Sequence, residues 1–298
     1  MMADLAEASR AARDLFAQAD DQLGFSLSEL CFTGPADRLN ATDMSQPAMF
    51  VASGAALAAM REALGEHTPQ PAMTAGLSLG EYTALYAAGA IDFAAALDLV
   101  AKRGQFMQAA AEAVPSGMVS IIGLDEDKVR QLCQTAADGQ VLTPANFNCP
   151  GQIVISGEAD ACHRARQLAE EFGASRAIPL KVAGAFHSEL MRPAAVRLTE
   201  ALENVEIRAP GYPVVSNVDA RPADGPDAIK QRLIAQVTSP VRWCESMQYL
   251  LACGGDEFYE IGPGRVLAGL MRRIDSARRV RSINSADALA KLAGERAQ

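Results

Sequence analysis

The 298 residues carry a net charge of −9, with 49% hydrophobic and 21% charged side chains. That balance suits a folded chain with a sizeable core and excludes a disordered one, while an acidic surface argues against nucleic acid as a partner. There is no apolar run of about 18 residues, so a membrane-spanning helix is not expected, and the polar, acidic stretch Met1 to Arg10 does not resemble a signal peptide. The length exceeds one compact domain, which implies a large domain carrying an insertion, or two domains.

In chain order, Leu5, Ala8, Ala12 and Phe16 repeat at helical spacing and predict a helix over 3–22. A second, Ala-rich helix is expected from Pro47 to Leu64, with the proline in its first turn. A short apolar strand over 71–75 leads into Gly76-Leu77-Ser78-Leu79-Gly80, after which the pattern is helical to Ala88. Gly89 stops that helix, and Asp92 is a natural N-cap for the next, which runs through Met107.

Residues 116–182 have a different character. Met118–Leu124 predicts a strand and Glu126–Ala137 a helix. Val141–Phe147 and Gln152–Ser156 predict a strand pair around Asn148-Cys149-Pro150-Gly151. Ala159–Phe172 predicts a helix and Ser175–Val182 a strand. The order βαββαβ is that of a ferredoxin-like unit. The remainder alternates again: helix 188–203, strand 212–216, helix 226–237, helix 243–251, strand 257–261, helix 266–274 and an Ala-rich tail, 286–298, as a loose helix. The fold class expected is α/β: an α/β-hydrolase-like large domain with a parallel sheet over 1–112 and 184–298, and an inserted ferredoxin-like subdomain over 113–183.

The pentapeptide around Ser78 fits G-x-S-x-G, the strand-to-helix turn that presents a nucleophilic serine at a helix N-terminus. There the Leu79 amide would point at a developing oxyanion. A plain glycine turn with a capping serine has the same pattern. A serine nucleophile needs a base, and the chain has three histidines. His67 lies in a polar loop and His163 on an insertion helix beside arginines, both expected to be exposed. That leaves His187, at a loop-to-helix junction, as the candidate base, although a lone histidine can equally be structural. The six cysteines form no CxxC pair and no zinc-ligand spacing, as expected of reduced thiols in a cytoplasmic protein. Arg272, Arg273, Arg278, Arg279 and Arg281 make a basic cluster that could meet an acidic partner, or simply a solvated helix end and loop.

Several stretches in order resemble the malonyl-CoA:acyl carrier protein transacylase family. Gly76-Leu77-Ser78-Leu79-Gly80-Glu81-Tyr82 is similar to its nucleophile motif and Gly184-Ala185-Phe186-His187 to its histidine motif. Asn146 to Gly157 and Glu260-Ile261-Gly262-Pro263-Gly264 are similar to two further signatures, and the resemblance runs from about residue 3 to 284. It implies that Ser78 is the nucleophile, His187 the base and acid, and Leu79 an oxyanion-hole amide. It implies that Arg103 binds the free malonyl carboxylate and that Gln236 holds the histidine through its main-chain carbonyl. Met107, Met118, Asn148, Phe186 and Val266 would line the acyl pocket, with Phe186 filling the space a methyl branch would need; Met107, Met118 and Val266 could equally be core. The implied reaction carries malonyl from coenzyme A, through a malonyl-serine, to the phosphopantetheine of acyl carrier protein in fatty acid synthesis. No cofactor, metal, nucleic acid or membrane is involved, and a monomer is expected. An acyltransferase serving a polyketide synthase would carry nearly the same residues, and a serine hydrolase would leave Arg103 without a purpose.

Two departures stand out. Leu77 occupies a position where the family usually has histidine. The family also begins with a strand and a Gly-Gln-Gly-x-Gln loop that supplies a second oxyanion donor, whereas this sequence starts at Met1-Met2-Ala3-Asp4-Leu5. Either this sequence lacks that segment or the protein has lost it, and the second makes a catalytically impaired, carrier-protein-binding homologue an alternative reading.

Overall fold

The computed structural model describes residues 1–296. Its first half is mostly helical: α1 (Ala3–Ala8), α2 (Arg10–Leu23), α3 (Leu27–Thr33), α4 (Ala36–Asn40) and α5 (Thr42–Leu64). The single helix expected over 3–22 is two, because Ser9 adopts an extended conformation and its hydroxyl caps α2 by accepting the Ala12 amide at 3.1 Å. The Ala-rich helix starts at Thr42, five residues before the expected Pro47. The proline therefore sits inside α5, past the first turn, where it removes the ladder bond to Asp43 O. Small side chains at Ala48, Ala52, Ala55, Ala56 and Ala59 are fully buried, which lets α5 pass through the centre of the largest core cluster.

Strand β1 (Thr74–Ala75) pairs in parallel with β6 (Val214–Val215), Thr74 opposite Val214. Helix α6 (Gly80–Ala87) follows β1, and α7 (Phe93–Ala113) is capped by Asp92 through the Ala95 amide, as expected. Both expected strands, 71–75 and 212–216, contract to two paired residues. Later, β7 (Phe258–Ile261) pairs in parallel with β8 (Val280–Ile283). The sequence reading missed β8, because its alternation is interrupted by Arg281 in an arginine-rich run. It also passed over α3 and α4, whose seven and five residues make no more than about two turns.

Residues 116–179 form a four-stranded antiparallel sheet from β2 (Ser116–Ile122), β3 (Leu142–Cys149), β4 (Gln152–Glu158) and β5 (Arg176–Pro179), in the order β3-β4-β2-β5. Helices α8 (Glu126–Ala137) and α9 (Ala159–Leu168) pack on it around Ile121, Leu132 and Ile155, a cluster separate from the main one. The expected helix to Phe172 ends at Leu168, in turns that close on Gly173. The sheet is tied to the rest by β3: the Phe147 amide donates to Val241 O and the Val241 amide to Ala145 O, at 2.9 and 2.8 Å.

The chain is completed by α10 (Arg192–Glu203), preceded by a short 3-10 turn, and by α11 (Pro226–Gln236), α12 (Trp243–Ala252), α13 (Val266–Ile274) and α14 (Ala286–Arg296). The last helix agrees with the expected tail up to Arg296; residues 297 and 298 lie outside the described residues. Among the described residues no helix is long and apolar enough to cross a membrane.

Candidate active site

Ser78 lies just beyond β1, after Gly76 and Leu77. Its φ of 52° is left-handed, a conformation that costs a non-glycine residue about 1–3 kcal/mol. Neighbours hold it there. Asn217 Oδ1 accepts the Ser78 amide at 2.6 Å, and Asn217 Nδ2 donates to Gly76 O at 2.7 Å, clamping both sides of the turn. Gly76 permits the turn, since a β-carbon there would lie 1.9 Å from Gly80 O. The Leu79 amide, at the N-cap of α6, has no acceptor among the described residues and is available to an oxyanion.

His187, also left-handed at φ 59° and only 4% exposed, brings Nε2 within 2.9 Å of Ser78 Oγ. Its Nδ1 lies 2.8 Å from Gln236 O. A carbonyl can only accept, so Nδ1 carries the proton and Nε2 offers its lone pair to the serine hydroxyl. Burial, and then the nearby Arg103 charge, push the imidazole down to about 4, so it is neutral at ordinary pH and able to take a proton. His67 and His163 are both exposed, as expected.

Arg103 comes from α7 and is 2% exposed. Next to it, Gly104 lets α7 close on α5, for a β-carbon there would meet Thr42 O at 2.9 Å. The guanidinium donates to Gln46 Oε1 and, through one nitrogen, to Ser78 Oγ at 3.1 Å and Gln236 Oε1 at 2.9 Å. It sits over the Tyr82 ring, 5.4 Å from the centroid. Among the described residues it has no ion-pair partner, and its Nε has no acceptor. Burial lowers its pKa, yet an arginine remains charged. Gln46, buried on α5, escaped the sequence reading because nothing in an Ala-rich helix marks one glutamine as facing a cation.

The remaining predicted residues differ in their surroundings. Met107 is buried on α7, with its sulfur 3.5 Å from Gln46 Nε2. Met118 on β2 is buried with Ala145 and Val154, and Phe186 packs on them half-exposed. Asn148 on β3 keeps a buried Oδ1 that has no partner among the described residues. Val266, the first residue of α13, is 67% exposed and is not enclosed by the groups around Ser78. The basic cluster is partly consumed locally: Arg273 donates to Gln152, Arg278 pairs with Asp275, and Arg281 with Glu257 and Glu295. Among the described residues no group of three or more His, Cys, Asp or Glu side chains could hold a metal ion.

Comparison with known proteins extends this picture. Residues 1–295 match the family described as acyl transferase domain. The malonyl CoA-acyl carrier protein transacylase of Escherichia coli K12 is 44% identical over 293 residues, covering 97% of this chain and 93% of that protein. The solved structure of the malonyl CoA-acyl carrier protein transacylase from Coxiella burnetii superposes with a TM-score of 0.95 at 38% identity, covering 100% of this chain and 93% of that one. A malonyl-transacylase solved in complex with a type II polyketide acyl-carrier protein gives 0.93 at 42% identity, covering 99% and 94%.

Proposed function

This chain belongs to the acyl transferase domain family, and from that premise we propose that it moves malonyl from malonyl-CoA to the phosphopantetheine thiol of acyl carrier protein through a malonyl-Ser78 intermediate. The observation that carries the reading is the buried, unpaired cation of Arg103 beside the Ser78–His187 pair. A dicarboxylic acid held as its half-thioester with coenzyme A brings the carboxylate that this cation lacks.

In the first half-reaction His187 Nε2 takes the Ser78 proton as Oγ attacks the thioester carbonyl. The Leu79 amide supports the oxyanion. The C–S bond breaks, and His187 returns its proton to the departing coenzyme A thiolate. The carrier-protein thiol then attacks malonyl-Ser78 and the same steps run in reverse, restoring the serine. The Gln236 carbonyl orients His187 but stabilises its charged form less than a carboxylate would. Arg103 grips the malonyl carboxylate, each charge-assisted bond contributing about 1.5–3 kcal/mol. Acetyl leaves the guanidinium unpaired, and that difference is the basis of selectivity. Met107, Met118, Asn148 and Phe186 line the acyl side, and Val266 its open rim; the unpartnered Asn148 Oδ1 suits a donor on the incoming thioester.

We further read residues 113–183 as a ferredoxin-like subdomain inserted in an α/β-hydrolase-like domain, supported by the β3-β4-β2-β5 order and the two parallel strand pairs. The protein is proposed to act as a cytoplasmic monomer without cofactor, supplying fatty acid synthesis. A polyketide pathway is the second reading, favoured by the likeness to the transacylase solved with a polyketide carrier protein. Incubation with radiolabelled malonyl-CoA, followed by peptide mapping, is expected to place label on Ser78, to lose it in S78A, and to pass it to added holo carrier protein. Rapid release of free malonate without acceptor would make the protein a hydrolase instead.

A further inference from the structure

Close to the three reacting groups lies a carboxylate that the cycle above does not use. Glu81 stands in the first turn of α6 and is 3% exposed. Its Oε2 accepts the Asn217 amide at 3.0 Å and the Gln236 side-chain amide at 2.7 Å. Asn217 clamps the turn around Ser78, whereas Gln236 reaches further. Its Nε2 also donates to Ser78 O at 3.0 Å, its Oε1 accepts Arg103 at 2.9 Å, and its main-chain carbonyl holds His187.

A glutamine amide has one donor end and one acceptor end. Arg103 can only donate, so the end facing it must be the oxygen. Glu81 as a carboxylate can only accept, so the end facing it must be the NH2. A half-turn of the amide would set NH2 against the guanidinium and oxygen against the carboxylate, two repulsive contacts in a buried site. We propose that Glu81 is a positioning residue for acyl selectivity: its carboxylate locks the Gln236 amide with the carbonyl toward Arg103 and so holds the guanidinium in place for the substrate's carboxylate. This rests on the reading of Arg103 as the malonyl-binding residue. Glu81 does not contact Arg103, whose Nε has no acceptor among the described residues and stays available to substrate. Turning the side-chain amide leaves the Gln236 main-chain carbonyl on His187. Selectivity is therefore separable from the base.

The test is single-turnover acylation of Ser78 by malonyl-CoA and by acetyl-CoA, with thermal unfolding as a check on folding. E81Q, close in size but able to present its own NH2, is expected to lower the malonyl-to-acetyl rate ratio by about tenfold or more, the worth of one charge-assisted bond. Q236M, which keeps the main-chain carbonyl and removes the amide, is expected to do the same. The double variant should fall no further than Q236M, since Glu81 acts through that amide. R103A serves as the control. If its ratio stays parental, the carboxylate reading is overturned and this proposal with it. If R103A loses the ratio while E81Q or Q236M keeps it, the role of Glu81 alone is overturned. An additional drop in the double variant has the same consequence. Should E81Q not fold, Q236M still decides, because a parental ratio there contradicts the proposal.

Discussion

Two regions of the proposed site are built differently. In one, Arg103, Gln236, Glu81, Asn217 and His187 form a buried polar web in which most side chains have two or more partners of fixed polarity. In the other, Phe186 packs by apolar contact against Met118, Ala145 and Val154 of the four-stranded sheet, and Val266 is open to solvent. Polar groups withdrawn from water cost free energy unless partnered, so the first region tolerates few arrangements. Apolar packing is non-directional and accepts substitution where volume is kept. On the proposed reading the web carries the choice of malonyl over acetyl, while the softer wall decides which acyl branches fit.

That contrast can be broken most severely at the turn. Gly76→Ala forces a β-carbon into Gly80 O, and Ser78 labelling is expected to vanish even if a thermal melt shows a folded protein. Unchanged labelling would mean the turn is as pliable as the acyl wall. Acidification comes next. With His187 held down at about 4, the acylation rate should stay level from neutral pH to about 5 and fall below 4. The unfolded chain takes up that proton below about 6.5. The imidazole's contribution to stability is therefore complete above that pH and lost as pH falls toward 4. A rate already halved near pH 6.5 would show a solvated, loosely held histidine. The smallest effect is expected on the soft side. Phe186→Ser should raise methylmalonyl transfer by roughly tenfold or less, the worth of fitting one methyl group, with little change in malonyl transfer. A collapse of both would move Phe186 into the rigid web.

The legibility of the sequence follows the same division. The turn around Ser78 was readable because glycine spacing and a strand-to-helix switch leave local marks, and Asp92 and Glu126–Ala137 were readable for similar reasons of capping and period. Gln46 and Asn217 were invisible. Each lies far in sequence from Ser78, and nothing local signals that its amide faces a buried partner. Strand β8 was hidden by Arg281, which points outward into ion pairs with Glu257 and Glu295. The split at Ser9 was missed because helical spacing of apolar residues continues across a break made by one hydroxyl cap. The acyl wall was named through resemblance alone, since methionines and phenylalanine at such positions look like core until a second layer is packed against them.

The central claim is that the buried guanidinium exists to receive the substrate's carboxylate. The most direct measurement is the rate of Ser78 acylation by malonyl-CoA and acetyl-CoA in R103A beside the parent enzyme. The account predicts that malonyl transfer falls by about one hundredfold or more relative to acetyl, the worth of a bidentate charge-assisted pair. Equal losses for the two acyl groups would contradict it.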